Sequence, residues 1–313
     1  MSGGGPLMLS GVIPPIVTPL DATGSVDVAS LRSVIDFVLD AGVSAIFVCG
    51  TGGEGPYLSA SQRQQVIEES VRYIDHRVPV LIGVSDIGTE RAGETVRLAC
   101  SAGADGAVST APFYGEVGDA EIERHFRLLA EMLAPLPLFA YDIPSKVHTK
   151  LSSALVARLA HAGVIAGIKD SSGDLDGFRE VRLATADVPG FSLITGSDSF
   201  ADAALSLGAA GMIAGLANVD PHGYVRLYDA ARRGDHDAAR AEQDRLFTLR
   251  RMCTVAASRV SSFSATIGAF KTAMRALGVI EHDALQPPLC GLNDDEAAEV
   301  VRILGDAKLV VEK

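Results

Sequence analysis

The joint AGVSAIF at residues 41–47 is the strongest indication of the architecture, because close variants of it recur along the chain. In each copy a glycine ends a helical pattern and an aliphatic strand follows within a few residues. Glycine is the residue that most often closes a helix in a left-handed conformation. A helix-to-strand joint that is used repeatedly predicts a cyclic architecture of alternating strands and helices. The other copies are AGADGAV (102–108), AGVIAGI (162–168) and GAAGMIA (208–214).

Short aliphatic runs are candidates for strands, and segments with helical spacing separate them. Strand–helix alternation implies parallel pairing, and the repeated unit predicts an α/β fold of the (β/α)8 TIM barrel type. An open doubly wound sheet, the rival fold, would usually show GxGxxG after its first strand, where this chain has Pro14-Pro15. The eight candidate strands are Val12–Val17, Ala45–Cys49, Val80–Val84, Ala107–Ser109, Leu136–Tyr141, Val164–Lys169, Phe191–Thr195 and Met212–Ala214.

The last quarter of the chain has a purely helical pattern. A DDEAAEVVRIL segment begins at Asp294 with the acidic residues that suit a helix N-terminus. No Pro/Gly/Ser linker precedes this region, so it reads as an appendage of the same domain. We expect a flexible N-terminus over residues 1–10, the barrel over 11–234, and C-terminal helices packed on the barrel over 235–313.

Composition excludes several classes of protein. The 313 residues carry 27 Lys+Arg against 39 Asp+Glu, a formal charge of −12, and 48% are hydrophobic. This acidic balance argues against nucleic acid or an anionic membrane as a partner. No apolar run approaches the roughly 18 residues that span a bilayer, and the start of the chain lacks the pattern of a signal peptide. The 4 cysteines match neither a disulfide framework nor a zinc site, so we expect reduced, buried thiols in a cytoplasmic protein.

Lysine is scarce, and Lys169 is the one lysine that ends a strongly apolar strand. A partly desolvated lysine at this position has a lowered pKa, and its neutral amine can attack a ketone to form a Schiff base. The alternative is a strand lysine that snorkels or forms a salt bridge. Side-chain alternation sends Asp170 to the opposite face of the strand. Lys271, on an apolar-striped helix, is the rival lysine and is interpreted as a structural residue at the flank of that stripe.

Other candidates also follow predicted strands. GTGGEG (50–55) lacks the Lys-Ser/Thr of a P-loop, but its amides and the Thr51 hydroxyl suit a small carboxylate; a plain tight turn is the alternative. Tyr114 and Tyr141 end strands, and their hydroxyls suit proton transfer, with aromatic packing as the alternative. The 7 histidines form no HxH or HExxH motif, which disfavours a metal-dependent aldolase, and surface or capping roles suit them. No GxSxG elbow of a serine hydrolase is found.

The order of GTGGE, a proline followed by an aromatic residue and Tyr, YDIPS, and GIKDSSG is specific in combination. From about Gly11 to Gly278 the chain resembles the dihydrodipicolinate synthase / N-acetylneuraminate lyase superfamily of pyruvate-dependent class I aldolases. The resemblance implies a TIM barrel with C-terminal helices and a homotetramer built as a dimer of dimers. It also implies a covalent imine in place of any cofactor or metal.

By position, Lys169 resembles the Schiff-base lysine and Tyr141 the tyrosine that relays protons. Thr51 matches the relay hydroxyl, and its amide together with that of Gly52 matches the clamp for the pyruvate carboxylate. Tyr114 matches the tyrosine that family members lend across the dimer interface. Two further positions match residues that line the pocket, Gly196 and Ile213.

Departures from the family patterns bear on the second substrate. The synthase branch typically has Thr at Gly52 and Arg at Lys146, and lysine is a poor substitute for an arginine that grips a carboxylate bidentately. The sialic-acid branch typically has an acidic residue at Ser199 and a serine at Gly215. The double-glycine GTGGE and DHRVPVLIG (75–83) look more like the 2-keto-3-deoxy sugar acid aldolases.

The leading hypothesis is therefore reversible cleavage of a 2-keto-3-deoxy sugar acid, such as the gluconate, to pyruvate and an aldehyde. Lys146 is predicted to meet the distal part of the acceptor. Asp198 is a candidate for binding a sugar hydroxyl, with a helix N-cap as the alternative. The same-family alternative is 4-hydroxy-tetrahydrodipicolinate synthase, with aspartate semialdehyde as the acceptor. The alternative from another class is a non-catalytic barrel that binds sugar acids or amino acids.

Overall fold

Eight parallel strands form one sheet in a computed structural model that describes residues 7–309. Each of the eight predicted strands is present, and the TIM barrel is confirmed. Apart from one junction, each strand pairs with its neighbours in chain order. The strands are β1 (Gly11–Val12), β2 (Ile46–Val48), β3 (Val80–Gly83), β4 (Gly106–Ser109), β5 (Leu138–Asp142), β6 (Gly167–Asp170), β7 (Ser192–Thr195) and β8 (Gly211–Met212).

The junction between β1 and β2 closes the cylinder with fewer regular hydrogen bonds. The amide of Phe47 donates to Pro14 O, and the amide of Ile16 donates to Phe47 O, both at 3.0 Å. Because proline has no N–H, the Pro14-Pro15 pair cannot continue a ladder. This explains why β1 ends at Val12, well short of the predicted Val17.

Twelve α-helices in the described part of the chain cover the outside of the barrel and extend beyond it. No helix in the described range is both long and apolar enough to cross a membrane. The helices are α1 (Val28–Asp40), α2 (Ala60–Ile74), α3 (Thr89–Ala102), α4 (Asp119–Leu133), α5 (Pro144–Val147), α6 (Ser153–His161), α7 (Leu175–Ala184), α8 (Ala201–Ser206), α9 (Pro221–Arg232), α10 (His236–Leu249), α11 (Ser262–Ala276) and α12 (Asp294–Asp306).

The repeated glycine joint has the geometry that the sequence predicts. Gly42, Gly103, Gly163 and Gly208 follow helices and have φ of 81°, 84°, 66° and 100°. This left-handed conformation is open to glycine at little cost. The joint therefore ends each helix and turns the chain back into the barrel wall.

The buried hydrophobic side chains form two clusters, and both clusters include residues of the strands. One fills the barrel interior and includes Phe47, Phe139 and Tyr141. The other lies between the strands and the surrounding helices, and it also contains Phe270 of α11 and Leu304 of α12. The C-terminal helices therefore share the main core with the barrel helices.

The chain packs onto the barrel before β1 begins. Residues 1–6 of the expected flexible segment lie outside the described residues. Leu9, however, is buried, and its amide donates to Ser192 Oγ at 2.9 Å. This contact with β7 attaches residues that we expected to be flexible.

Asn218, which is fully buried, links the segment that follows β1 to the loop after β8. Its Oδ1 accepts from Val17 N at 3.0 Å, and its Nδ2 donates to Pro15 O at 3.0 Å and to Gly215 O at 2.9 Å. We expect Asn218→Ala to lower the free energy of unfolding by about 2–4 kcal/mol, because buried backbone groups lose their partners. Urea denaturation measures this change. Asn293→Ala, which removes the exposed N-cap of α12, serves as the control and should cost about 1 kcal/mol. Equal losses in both variants would contradict this role for Asn218.

Candidate active site

Lys169 and Tyr141 lie side by side inside the carboxyl end of the barrel. The register pairs Tyr141 with Lys169, and Lys169 with Ile194 on the next strand. Tyr141 and Ile194 both belong to the interior cluster, so the lysine side chain points into the barrel. The Lys169 ammonium lies 4.0 Å from the centre of the Tyr141 ring and 5.3 Å from that of Phe47. Only 4% of Lys169 is exposed, which excludes the snorkelling alternative.

The neighbouring Asp170 faces away from this pair, as the alternation predicts. Its Oδ1 accepts from the amide and the hydroxyl of Ser172 at 2.8 and 2.6 Å. Asp170 lies in register with Asp142, whose buried carboxylate pairs with Lys150. The acidic side chains at these strand ends therefore do not pair with Lys169.

Tyr141 sits in a polar environment despite its burial. Its hydroxyl lies 3.3 Å from Thr51 Oγ1, so the structure brings together the two residues of the predicted relay. Burial raises the pKa of the Tyr141 phenol. The Lys169 cation and hydrogen bonds with Thr51, Lys169 and Ser171 outweigh burial and lower this pKa below its ordinary value. Such a phenol ionises more readily than an exposed tyrosine.

The GTGGEG loop packs tightly against the segment that follows β1. A Cβ added to Gly52 would lie 2.6 Å from Pro15 O, and one added to Gly53 would lie 2.9 Å from Ile16 O. Thr18 Oγ1 also donates to Gly53 O at 2.7 Å. Glycine is needed here for close backbone approach, and the packing holds Thr51 beside the barrel mouth.

Gly196 and Ile213 lie in the wall around the Lys169 side chain. A Cβ on Gly196 would lie 2.9 Å from Lys169 Cε and 1.9 Å from Ser171 Oγ, so only glycine leaves room for the lysine. Ile213 belongs to the interior cluster, and its amide donates to Thr195 O at 2.8 Å. Sequence reasoning did not single out Ser171, although it follows Lys169 by 2 positions, the spacing that returns to the same face of a strand.

A cavity of about 480 Å³ opens above Tyr141 and Thr51. Lys146 of α5 lines it, with its Nζ 4.9 Å from the centre of the Phe263 ring. Phe263 in turn stacks on Tyr57 with 5.4 Å between ring centres. This aromatic pair was not predicted, because Phe263 comes from α11, more than 200 residues after Tyr57 along the chain.

Asp198 is engaged in structure rather than facing the cavity. Its Oδ1 accepts from Leu216 N at 3.0 Å and from Tyr224 OH at 2.9 Å. It is not the cap of α8 either, since that helix begins at Ala201 after Phe200. The predicted cap of the following helix is therefore wrong, while binding of a sugar hydroxyl stays a prediction, since both of these hydrogen bonds end on Oδ1. Asp198 joins the loop after β7 to the segment after β8.

Tyr114 is not brought to the other site residues within one chain. It lies in the loop after β4 and is 88% exposed. Its predicted catalytic role therefore depends on a second copy of the chain, as the resemblance implies.

Three further expectations are corrected, two by the burial of a side chain and one by its exposure. Lys271 is fully buried rather than at a flank, and its Nζ lies 2.5 Å from Glu54 Oε1. His125 is also buried, between Thr89 and Ser109, and burial lowers its pKa to about 4. All cysteines are free as predicted, but Cys290 is exposed. Across residues 7–309, no group of three or more His, Cys, Asp or Glu side chains is arranged to hold a metal ion.

The chain is similar in sequence to a known protein family along nearly its whole length. The model of the dihydrodipicolinate synthetase family matches residues 8–307. An uncharacterized DapA-like lyase from Halobacterium salinarum is 36% identical over 309 residues, covering 98% of this chain and 97% of that protein. The 4-hydroxy-tetrahydrodipicolinate synthase of Syntrophus aciditrophicus is 33% identical over 303 residues, 97% of this chain and 100% of that one.

The solved structures agree with the sequence relatives. YagE, a prophage protein of the dihydrodipicolinic acid synthase family from E. coli K12 in complex with pyruvate, superposes with a TM-score of 0.91 at 29% identity. The match covers 97% of this chain and all (100%) of that one. Dihydrodipicolinate synthase from Bacteroides thetaiotaomicron superposes with a TM-score of 0.89 at 32% identity, over 95% and 98% of the two chains.

The ionisation of Tyr141 gives a test of the site. Lys169→Met removes the cation that lowers the Tyr141 pKa and leaves burial, which raises it, in place. We therefore expect Tyr141 to ionise at higher pH in Lys169→Met than in the unaltered protein. The ultraviolet titration of tyrosinate, with Tyr141→Phe as the reference for subtraction, measures this shift. Lys308→Met is the remote control and should leave the titration unchanged. An unchanged or lower Tyr141 pKa in Lys169→Met would show that the cation does not act on the phenol.

Proposed function

Because the chain belongs to the dihydrodipicolinate synthetase family of lyases and aldolases, we propose that it forms a covalent imine between Lys169 and pyruvate. The observation that carries this proposal is the Lys169 amine held against Tyr141 inside the barrel mouth, away from carboxylate partners on its own strand. An amine in this position can attack the carbonyl carbon of a keto acid as a nucleophile.

The chemistry follows from this arrangement. The Lys169 nitrogen attacks C2 of the keto acid, and loss of water leaves a protonated imine that withdraws electrons from C3. In the cleavage direction, Tyr141 as phenolate takes the proton of the C4 hydroxyl while the C3–C4 bond breaks. The aldehyde leaves, and the electron pair of the broken bond enters the enamine. Protonation at C3 and hydrolysis of the imine then release pyruvate and restore Lys169.

Thr51 has two roles in this proposal. Its hydroxyl continues the proton path from Tyr141, supported by the 3.3 Å distance between the two oxygens. Its amide and that of Gly52 bind the pyruvate carboxylate, supported by the close packing of the loop against Pro15. Backbone amides that are held rigidly bind an anion without reorganisation.

We assign a 2-keto-3-deoxy sugar acid, such as the gluconate, as the substrate. Glycine at 52 and lysine at 146 favour this class over the synthase pattern. The cavity of about 480 Å³ is large enough for a small sugar acid. Ser85, Thr110 and Lys146 line it and supply polar groups for hydroxyls. Asp198 does not line this cavity, and its Oδ1 accepts from Leu216 N and Tyr224 OH.

A second candidate is 4-hydroxy-tetrahydrodipicolinate synthase. Relatives of that name match 97% of this chain, which favours it. Lys146 would then bind the carboxylate of aspartate semialdehyde in the position of an arginine, with a single ammonium in place of a bidentate guanidinium. A non-catalytic binding barrel remains the alternative from another class, and it is separated from both enzymes by imine formation.

A tetramer built as a dimer of dimers completes the proposal. The 88% exposure of Tyr114 supports a role in which it reaches the site of a second copy. The free cysteines support a reducing compartment, the cytoplasm.

Trapping with borohydride tests the imine. After incubation with pyruvate and reduction, we expect peptide mass spectrometry to find the adduct on Lys169, and Lys169→Ala to lose both the adduct and turnover while remaining folded. Lys146→Ala is the control, because it removes a cavity lysine but leaves the nucleophile, and it should keep the adduct. An unmodified Lys169 in folded protein would exclude imine chemistry with pyruvate.

The choice of acceptor is tested by comparing two reactions. We expect kcat/KM for cleavage of 2-keto-3-deoxygluconate to exceed that for condensation of pyruvate with aspartate semialdehyde by at least about 10-fold, or about 1.4 kcal/mol. Lys146→Arg should narrow this gap, because its guanidinium grips a carboxylate bidentately. Preference of the unaltered protein for aspartate semialdehyde would assign the synthase activity instead.

A further inference from the structure

A buried ion pair joins the GTGGEG loop to the C-terminal helices. Glu54 and Lys271 are both fully buried, and Lys271 Nζ lies 2.5 Å from Glu54 Oε1. Lys271 Nζ also donates to Ala284 O at 2.7 Å, and Glu54 Oε2 accepts from Gln286 N at 2.8 Å. The Glu54 carboxylate is thus held by α11 and by the segment that follows it.

The backbone of Glu54 also makes contacts within the GTGGEG loop, which carries Thr51. Glu54 has a left-handed backbone with φ of 56°, and its amide donates to Thr51 O at 3.2 Å. The amide of Gly55 donates to Gly50 O at 3.1 Å, which closes the turn around Thr51. A shift of the Glu54 side chain would therefore be passed to the Thr51 hydroxyl and to its contact with Tyr141.

The burial of this ion pair argues against a role in stability alone. Two charges lose their hydration in the interior, and apolar side chains of similar volume often stabilise a protein equally well or better. An ion pair with directed hydrogen bonds differs from an apolar contact because it specifies one geometry. A site in which a proton must pass between two hydroxyls benefits from that precision.

We propose that Glu54 and Lys271 are positioning residues, and that this pair holds the loop so that the Thr51 hydroxyl meets Tyr141. Through it the C-terminal helix α11 sets the rate of proton transfer at the barrel mouth. This inference rests on the proposed roles of Lys169, Tyr141 and Thr51 in imine chemistry.

An assay with pyruvate alone isolates the proton step. Once the imine forms on Lys169, a base removes a proton from C3 and the C–H electrons move into the enamine. In D2O the reverse step delivers deuterium to C3, so the methyl signal of pyruvate decays in the proton NMR spectrum. No acceptor aldehyde is needed. Borohydride trapping, measured in parallel, reports imine formation separately.

Glu54→Gln keeps the shape of the side chain and an oxygen acceptor but loses the charge. We expect methyl exchange to slow by about 10-fold to 100-fold, the loss typical of a displacement of about 1 Å, while the adduct on Lys169 still forms. Combining Glu54→Gln with Thr51→Val should cause no further loss beyond Thr51→Val alone, because both changes act on one contact. A merely structural role would give losses that multiply.

Two further variants distinguish a loss of positioning from a loss of folding. Lys271→Met alone leaves an unpaired buried carboxylate. The double variant Glu54→Gln/Lys271→Met buries no charge and is therefore the one to assay. We expect it to fold and to exchange the pyruvate methyl protons as slowly as Glu54→Gln does. Arg245→Met is the matched control, since Arg245 pairs with Asp220 and Glu242 away from the loop. It should lower the melting temperature and leave the exchange rate unchanged.

The outcomes separate this inference from the proposed function. Normal exchange in Glu54→Gln and in the double variant, with the adduct present in the unaltered protein, would overturn the positioning role and leave the imine mechanism intact. Losses that multiply with Thr51→Val would also overturn it. Absence of an adduct from the unaltered protein would overturn the proposed function, and this assignment with it.

Discussion

A lysine ammonium that lies against an aromatic ring in an apolar barrel is the interaction on which the rest of the site depends. Lys169 is 4% exposed and is surrounded by the cluster that fills the barrel. Contact with the Tyr141 ring offsets only part of the cost of removing a cation from water. The same cation lowers the pKa of the neighbouring Tyr141 phenol. One contact prepares both groups for the proposed reaction.

The sequence was sufficient to predict this pair because a TIM barrel leaves little freedom. Strands that follow one another in the chain lie side by side, and side chains alternate between the inside and the outside. Lys169 and Tyr141, each at the end of an apolar strand, must then face the same interior. The left-handed glycines at the helix ends were equally predictable, because their conformation is a local property. The bounds of several strands differ by one to three residues from those predicted, and β1 differs most, since Pro14-Pro15 interrupts its ladder.

The errors concern side chains whose partners lie far away along the chain. Asp198 was given a helix N-cap as its alternative role, but its Oδ1 accepts from Leu216 N and Tyr224 OH instead. Lys271 lies on an apolar stripe, and this spacing indicates that one face of the helix is buried. The spacing does not reveal that Lys271 pairs with Glu54, which lies more than 200 residues earlier in the chain. His125 is similar, because Thr89 and Ser109 come from other elements. A pattern along one element predicts which face is buried and not which polar group it meets.

The packing of the GTGGEG loop also bears on how specificity arises in this barrel. On one side, Gly52 is too close to Pro15 O for any larger residue to fit without movement. On the other side, Glu54 is held by Lys271 and by the amide of Gln286. A loop fixed on both sides has little freedom to adapt to a new acceptor. Lys146, by contrast, is exposed on the single turn of α5, lines the cavity and has its Nζ over the ring of Phe263. In the proposed reaction, a substitution at Lys146 can therefore change the choice of acceptor while the proposed proton path through Thr51 and Tyr141 stays in place.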